Sequence, residues 1–151
     1  PYEAVAFELH QLDNQNSEIG MGSVGILKEE MTEKYFLKWL GQKLEINFLR
    51  HSPFLNRKIK KVAVLGGSGS FAIPNAKEIN ADVLVTADLK YHDFFQAENQ
   101  IFLVDGGHYE TERFTKKLIH DHLIEKLPKF AIALSKSLTN PVNYFYNGKK
   151  K

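Results

Sequence analysis

His108 and Glu112 lie four residues apart, directly after Asp105-Gly106-Gly107. On a helix that spacing puts both side chains on one face, where they can converge on a single ion. Imidazole nitrogen and carboxylate oxygen suit zinc, iron or manganese. Asp88 and His92 share the same spacing. A third feature is the loop Gly67-Ser68-Gly69. It reads as a tight turn, as an anion cradle, or, extended through Ala72, as a dinucleotide fingerprint with Asp88 in the place of the ribose-binding acid. Plainer roles stand beside these: an acidic first helical turn for His108 to Glu112, a helix N-cap for Asp88, and a partly exposed helix position for His92.

Each of these groups sits where an apolar run ends. Val62 to Leu65, Val83 to Val85 and Ile101 to Val104 are short and continuously apolar, as strands buried on both faces must be. Helical patterns follow over 72–80, 91–98 and 108–126, and Ala131 to Leu134 reads as a fourth such strand. Alternating strands and helices predict a parallel sheet with helices on its faces. In such a sheet the three polar strand ends share one edge, where ligands bind. Upstream, residues 4–12 alternate as a strand, 13–18 form a polar turn and Gly20 to Gly25 is glycine-rich. A helix starts with Thr32 as N-cap and Tyr35 at its third position. Its apolar face is Phe36, Leu37, Trp39, Leu40 and Leu44. Ile46 to Leu49 reads as a short strand, and 51–57 as a loop. The expected class is α/β, a mainly parallel sheet with flanking helices, preceded by a β-rich segment.

The 151 residues suffice for one core, and the net charge of +2 is dispersed apart from Lys149-Lys150-Lys151, which reads as a solvated tail. Nucleic-acid binding is not expected. With no cysteine, disulfides and thiolate metal sites are excluded, and a reducing, cytoplasmic location is expected. No apolar stretch reaches membrane-span length and no signal peptide is visible. The chain opens with Pro1 directly into a strand pattern, and the expectation is a piece of a longer protein.

Three segments together carry a resemblance. They are Val62-Ala63-Val64 with Gly67-Ser68-Gly69, Ala81-Asp82-Val83 with Thr86-Ala87-Asp88-Leu89-Lys90-Tyr91-His92, and Asp105-Gly106-Gly107-His108-Tyr109-Glu110-Thr111-Glu112. In this order they resemble the C-terminal half of the Nif-three-like dinuclear metal-binding proteins, many of them described as type 2 GTP cyclohydrolase I. Pro1-Tyr2-Glu3 and Gly20 to Gly25 resemble the closing part of the PII-like domain inserted in longer bacterial members. The resemblance implies an inserted-domain end and return strand over 1–28, a C-terminal α/β domain over 29–147 and a basic tail over 148–151.

It further implies two divalent metal ions per full-length chain, held between two α/β halves. His108 and Glu112 match the ligands of the C-terminal half; an adjacent histidine pair and an aspartate would come from the other half. This chain has no adjacent histidine pair. Asp88 and His92 match a Thr-Gly-Asp…His segment, with Ala87 in place of glycine, as supporting or substrate-facing catalytic candidates. The implied assembly is a toroidal homohexamer acting on a nucleotide or other small molecule as a metal-dependent hydrolase, possible GTP cyclohydrolase chemistry included. Two rival readings are a non-catalytic metal-dependent binding or scaffold protein, and a dinucleotide-binding α/β domain.

Overall fold

The structure, a computed structural model, describes residues 8–11 and 20–145. Most of the expected first strand, the turn over 13–18 and the lysine tail lie outside the described residues.

The described residues up to Glu112 form one compact unit. Its six-stranded sheet runs in the order β1-β2-β4-β5-β6-β3. The strands are β1 (Glu8–Gln11), β2 (Gly20–Thr32), β3 (Arg50–His51), β4 (Lys58–Ser68), β5 (Val83–Ala87) and β6 (Phe102–Asp105). Only the centre is parallel: β4 with β5 and β5 with β6. The flanking pairs β1–β2, β2–β4 and β3–β6 are antiparallel. The α/β class holds, and its parallel part is confined to the three apolar runs. Every residue of β5 and β6 is buried, which is why those runs are continuously apolar.

Helix α1 (Glu33–Leu44) begins as its sequence indicates. Thr32 caps it, accepting a hydrogen bond from the Tyr35 amide at 3.3 Å. Phe36, Leu40 and Leu44 are buried where α1 packs against β2 and β4. Its end explains why Ile46 to Leu49 is not the strand expected. Glu45 turns left-handed at φ 52°. The Glu45 and Ile46 amides then bond back to Gln42 and Gly41 at 3.3 and 2.9 Å, a Schellman closure that takes Ile46 out of any ladder. Pairing begins later, at Arg50 and His51 against Asp105 and Val104.

The connection from β4 to β5 is a 3₁₀ turn (Ser70–Ala72) followed by α2 (Ile73–Glu78), with Pro74 in its first turn. The segment Tyr91–Ala97 is 3₁₀ rather than α. One face of the sheet is closed by Ala63, Ile73, Ala76, Leu84, Leu89, Ile101 and Leu103, which pack as one cluster.

The helix expected over 108–126 is two helices, α3 (His108–Glu112) and α4 (Thr115–Lys126). The Thr111 hydroxyl bonds the carbonyls of Gly107 and His108 at 2.9 and 3.0 Å. Such back-bonding competes with the helical ladder, and α4 starts its own ladder from the Phe114 carbonyl. Arg113 onward is a second compact unit. Within it α4 buries no residue, and residues 127–145 have no regular secondary structure. The apolar run Ala131 to Leu134 is therefore not a fourth strand; an apolar tetrapeptide makes a strand only where a ladder accepts its backbone groups. Among the described residues no helix is long and apolar enough to cross a membrane.

Candidate metal centre

The register of the parallel strands aligns Ser68 with Ala87 and Thr86 with Asp105. The three following loops therefore open on one edge, and hydrogen bonds tie them together. Thr86 Oγ1, fully buried, donates to the Gly67 carbonyl at 3.1 Å. The Gly106 amide donates to the Thr86 carbonyl at 2.8 Å, and the Gly67 amide to Thr111 Oγ1 at 3.0 Å. Gly67 adopts φ +68°, a conformation that costs a side-chain-bearing residue.

On this edge His108 Nδ1 lies 2.6 Å from Asp88 Oδ2, and His108 Nε2 lies 3.2 Å from Glu112 Oε2. All three side chains are about half exposed. Asp88 is not a helix cap. It sits left-handed at φ 56°, and the cap of the following 3₁₀ segment is Lys90. The Asp88 hydrogen bond holds the His108 imidazole above its ordinary pKa; slight burial opposes this and the Glu112 charge adds to it. In the tautomer that donates Nδ1–H to Asp88, the closer of the two carboxylates, Nε2 is the nitrogen that faces Glu112 and would face a metal, the carboxylate–histidine pairing that orients a ligand.

The placement of Glu112 beside Nε2 depends on Gly67. A Cβ built there would overlap Glu112 Oε1 and stand 3.2 Å from His108 Nε2. His108 and Glu112 therefore fit a divalent cation as a donor pair, with Asp88 as the partner that orients the histidine. Among the described residues, no group of three or more histidine, aspartate or glutamate side chains is arranged to hold a metal. A closed zinc site has four ligands and an open catalytic one three, so this edge supplies part of a site.

His92 packs with aromatic rings. Its exposed ring lies 5.1 Å from that of Tyr91, edge-on, and 6.3 Å from that of Phe95. Its spacing to Asp88 has no helical meaning, because Asp88 precedes the 3₁₀ segment. The glycine loop serves as a turn whose free space is taken up by Glu112 and His108. Sequence spacing gave no role to Asp105, which is buried and accepts the amides of Leu89 and Gly107 at 3.1 and 3.0 Å. Its signal was a carboxylate closing an otherwise apolar strand. Thr111, which bridges Gly67 and Gly107, left no comparable signal.

Comparison with known proteins gives this chain a family. A Bacillus subtilis GTP cyclohydrolase 1 type 2 homolog is 37% identical over 153 residues, covering 95% of this chain and 40% of that protein. The corresponding Campylobacter jejuni homolog is 32% identical over 120 residues, covering 79% of the chain and 47% of its own length. Among solved structures, a Staphylococcus aureus hypothetical protein superposes with a TM-score of 0.78 at 32% identity, over 87% of this chain and 45% of that one. A Bacillus cereus protein related to NIF3 gives 0.71 at 34% identity, over 89% and 38%. The chain thus spans less than half the length of these relatives. The family model for Duf34/NIF3 (NGG1p interacting factor 3) matches residues 3–141, and the chain belongs to that family.

Proposed function

We propose that this chain supplies the His108 and Glu112 half of a dinuclear divalent-metal site in a hydrolase-like protein, with GTP cyclohydrolase chemistry as its candidate reaction. The observation that carries this reading is the set Asp88–His108–Glu112 at the sheet edge, with Gly67 making the space that Glu112 and His108 occupy. The name shared by the relatives, GTP cyclohydrolase 1 type 2 homolog, supports the substrate class. The remaining ligands would come from an N-terminal half, and the metals would be zinc, iron or manganese. A homohexameric assembly in the cytoplasm belongs to the same proposal.

In this reading each residue has a distinct task. His108 presents Nε2 and Glu112 presents its carboxylate. Asp88 keeps the proton on Nδ1, and Gly67, having no side chain, leaves the space that Glu112 and His108 occupy. Bound metals in such a pair would hold a substrate oxygen and lower the pKa of a coordinated water. Asp88 and His92, also candidates for substrate contact, separate here: Asp88 serves His108, while His92 remains exposed for a substrate-facing role.

The test uses the full-length protein. GTP turnover that is lost on chelation, restored by one of the three metals, and lost again in His108→Ala and Glu112→Ala supports the proposal. Metal bound by His108 and Glu112 without turnover would replace it with a metal-dependent binding or scaffold protein. Wild-type metal content in both variants would remove the metal reading itself.

A further inference from the structure

Asp88 reaches His108 from a left-handed backbone position in a loop, so something must hold that loop. The Leu89 peptide is gripped from two sides. Its amide donates to Asp105 Oδ2 at 3.1 Å, and its carbonyl accepts from Arg50 Nη2. Arg50 Nη2 also lies 3.4 Å from Asp105 Oδ2. The other Asp105 oxygen accepts the Gly107 amide at 3.0 Å, the residue immediately before His108. One buried carboxylate therefore spans the loop that carries Asp88 and the loop that carries His108.

Arg50 is brought there by β3, whose two residues pair with the last two of β6, Arg50 opposite Asp105. Its guanidinium also lies 5.3 Å from the centre of the Phe94 ring, which limits its freedom. Leu89 itself is 1% exposed, so its side chain anchors the gripped peptide in the core.

We infer that Asp105 and Arg50 are positioning residues: together they clamp the Leu89 peptide, aim Asp88 at His108 Nδ1, and so decide which imidazole nitrogen is offered to a metal. The metal part of this inference rests on the function proposed above; the clamp on the His108 ring does not.

The experiment reads the His108 ring directly. Ring nitrogen-15 shifts of the metal-free chain, taken at alkaline pH where the imidazole is neutral, report its tautomer. The wild type is expected to hold the proton on Nδ1. Arg50→Ala and Asp105→Ala are expected to move it toward the Nε2-protonated form that free imidazole favours. Zinc titrated against the same signals should then bind about 10-fold more weakly, the usual effect of losing a group that orients a ligand. Asp105→Asn, which keeps one acceptor oxygen, should fall between. Arg50 is 60% exposed, so its variant tests the clamp even where Asp105→Ala does not fold. Folded Arg50→Ala with the wild-type tautomer overturns the inference. A shifted tautomer with unchanged zinc affinity upholds the clamp and overturns its link to metal binding.

Discussion

Gly67 faces the Glu112 carboxylate so closely that a single added methyl group would overlap Oε1 and stand 3.2 Å from His108 Nε2. The same residue has φ +68°. Two independent constraints therefore exclude a side chain at one position. Gly67→Ala is expected to cost about 1–2 kcal/mol from the left-handed backbone alone. It should also push Glu112 out of line with His108. Urea unfolding should show the modest stability loss, and zinc titration a larger fractional loss of affinity. Unchanged zinc affinity in a folded variant would mean that the Glu112 position does not matter.

The Asp88–His108 pair predicts a pH response with a definite sign. The histidine is held above its ordinary value of 6.5, chiefly by the Asp88 hydrogen bond. Its charged form is favoured by folding, so this contribution is full below 6.5 and is lost as pH rises through the elevated value. Because the ring is half exposed, the effect on stability is too small to be the readout. An NMR titration of His108 is the appropriate measurement. Asp88→Asn should bring its midpoint back toward the ordinary value, whereas an identical midpoint would show that Asp88 does not govern the ring. A metal on Nε2 competes with the proton, so acidification should release it.

Glu33 gives a prediction independent of metal. It opens α1, is 5% exposed, and its two oxygens accept the amides of Leu55 and Asn56 at 2.8 and 3.0 Å. It thereby fastens the loop leading from β3 into β4. Removing the carboxylate leaves those amides without their acceptor, a loss of about 1–3 kcal/mol. Glu33→Ala should lower the urea midpoint by a corresponding amount while leaving the His108 titration in place. A shifted His108 titration in that variant would reveal coupling between this loop and the sheet edge.

What the sequence disclosed follows from the range of the interactions involved. The three apolar runs and the cap at Thr32 are local signals, and each appears as a strand or a helix start. The His108–Glu112 spacing survives even though α3 is only five residues long, because one turn suffices to align positions four apart. Asp88 could be placed near the site but not assigned its partner, since its left-handed turn leaves no residue-type signature. Asp105 stayed hidden for a related reason: its bonds to Leu89 and Gly107 exist only once β5 and β6 lie side by side. The break at Arg113 depends on hydroxyl back-bonding by Thr111, and neither glycine nor proline marks it. At Ala131 to Leu134 composition suggested a strand, but pairing depends on a partner that local composition does not reveal.

The last prediction concerns metal in this chain alone. His108 and Glu112 are two donors, and Asp88 is occupied by His108 Nδ1. Two protein ligands leave most coordination positions to water, whereas stable zinc sites draw on three or four side chains. Elemental analysis after exhaustive dialysis should therefore find little retained zinc, iron or manganese. Titrated zinc should still perturb the His108 ring signals, reversibly, and this response should vanish in Glu112→Ala. In the full-length protein, the same substitution should deplete metal while the thermal unfolding of the metal-free forms stays within about 0.5 kcal/mol of wild type, as for other surface changes. Two tightly held ions per chain in the isolated chain would show that it contains further ligands, and the proposed division of the site between two halves would be wrong.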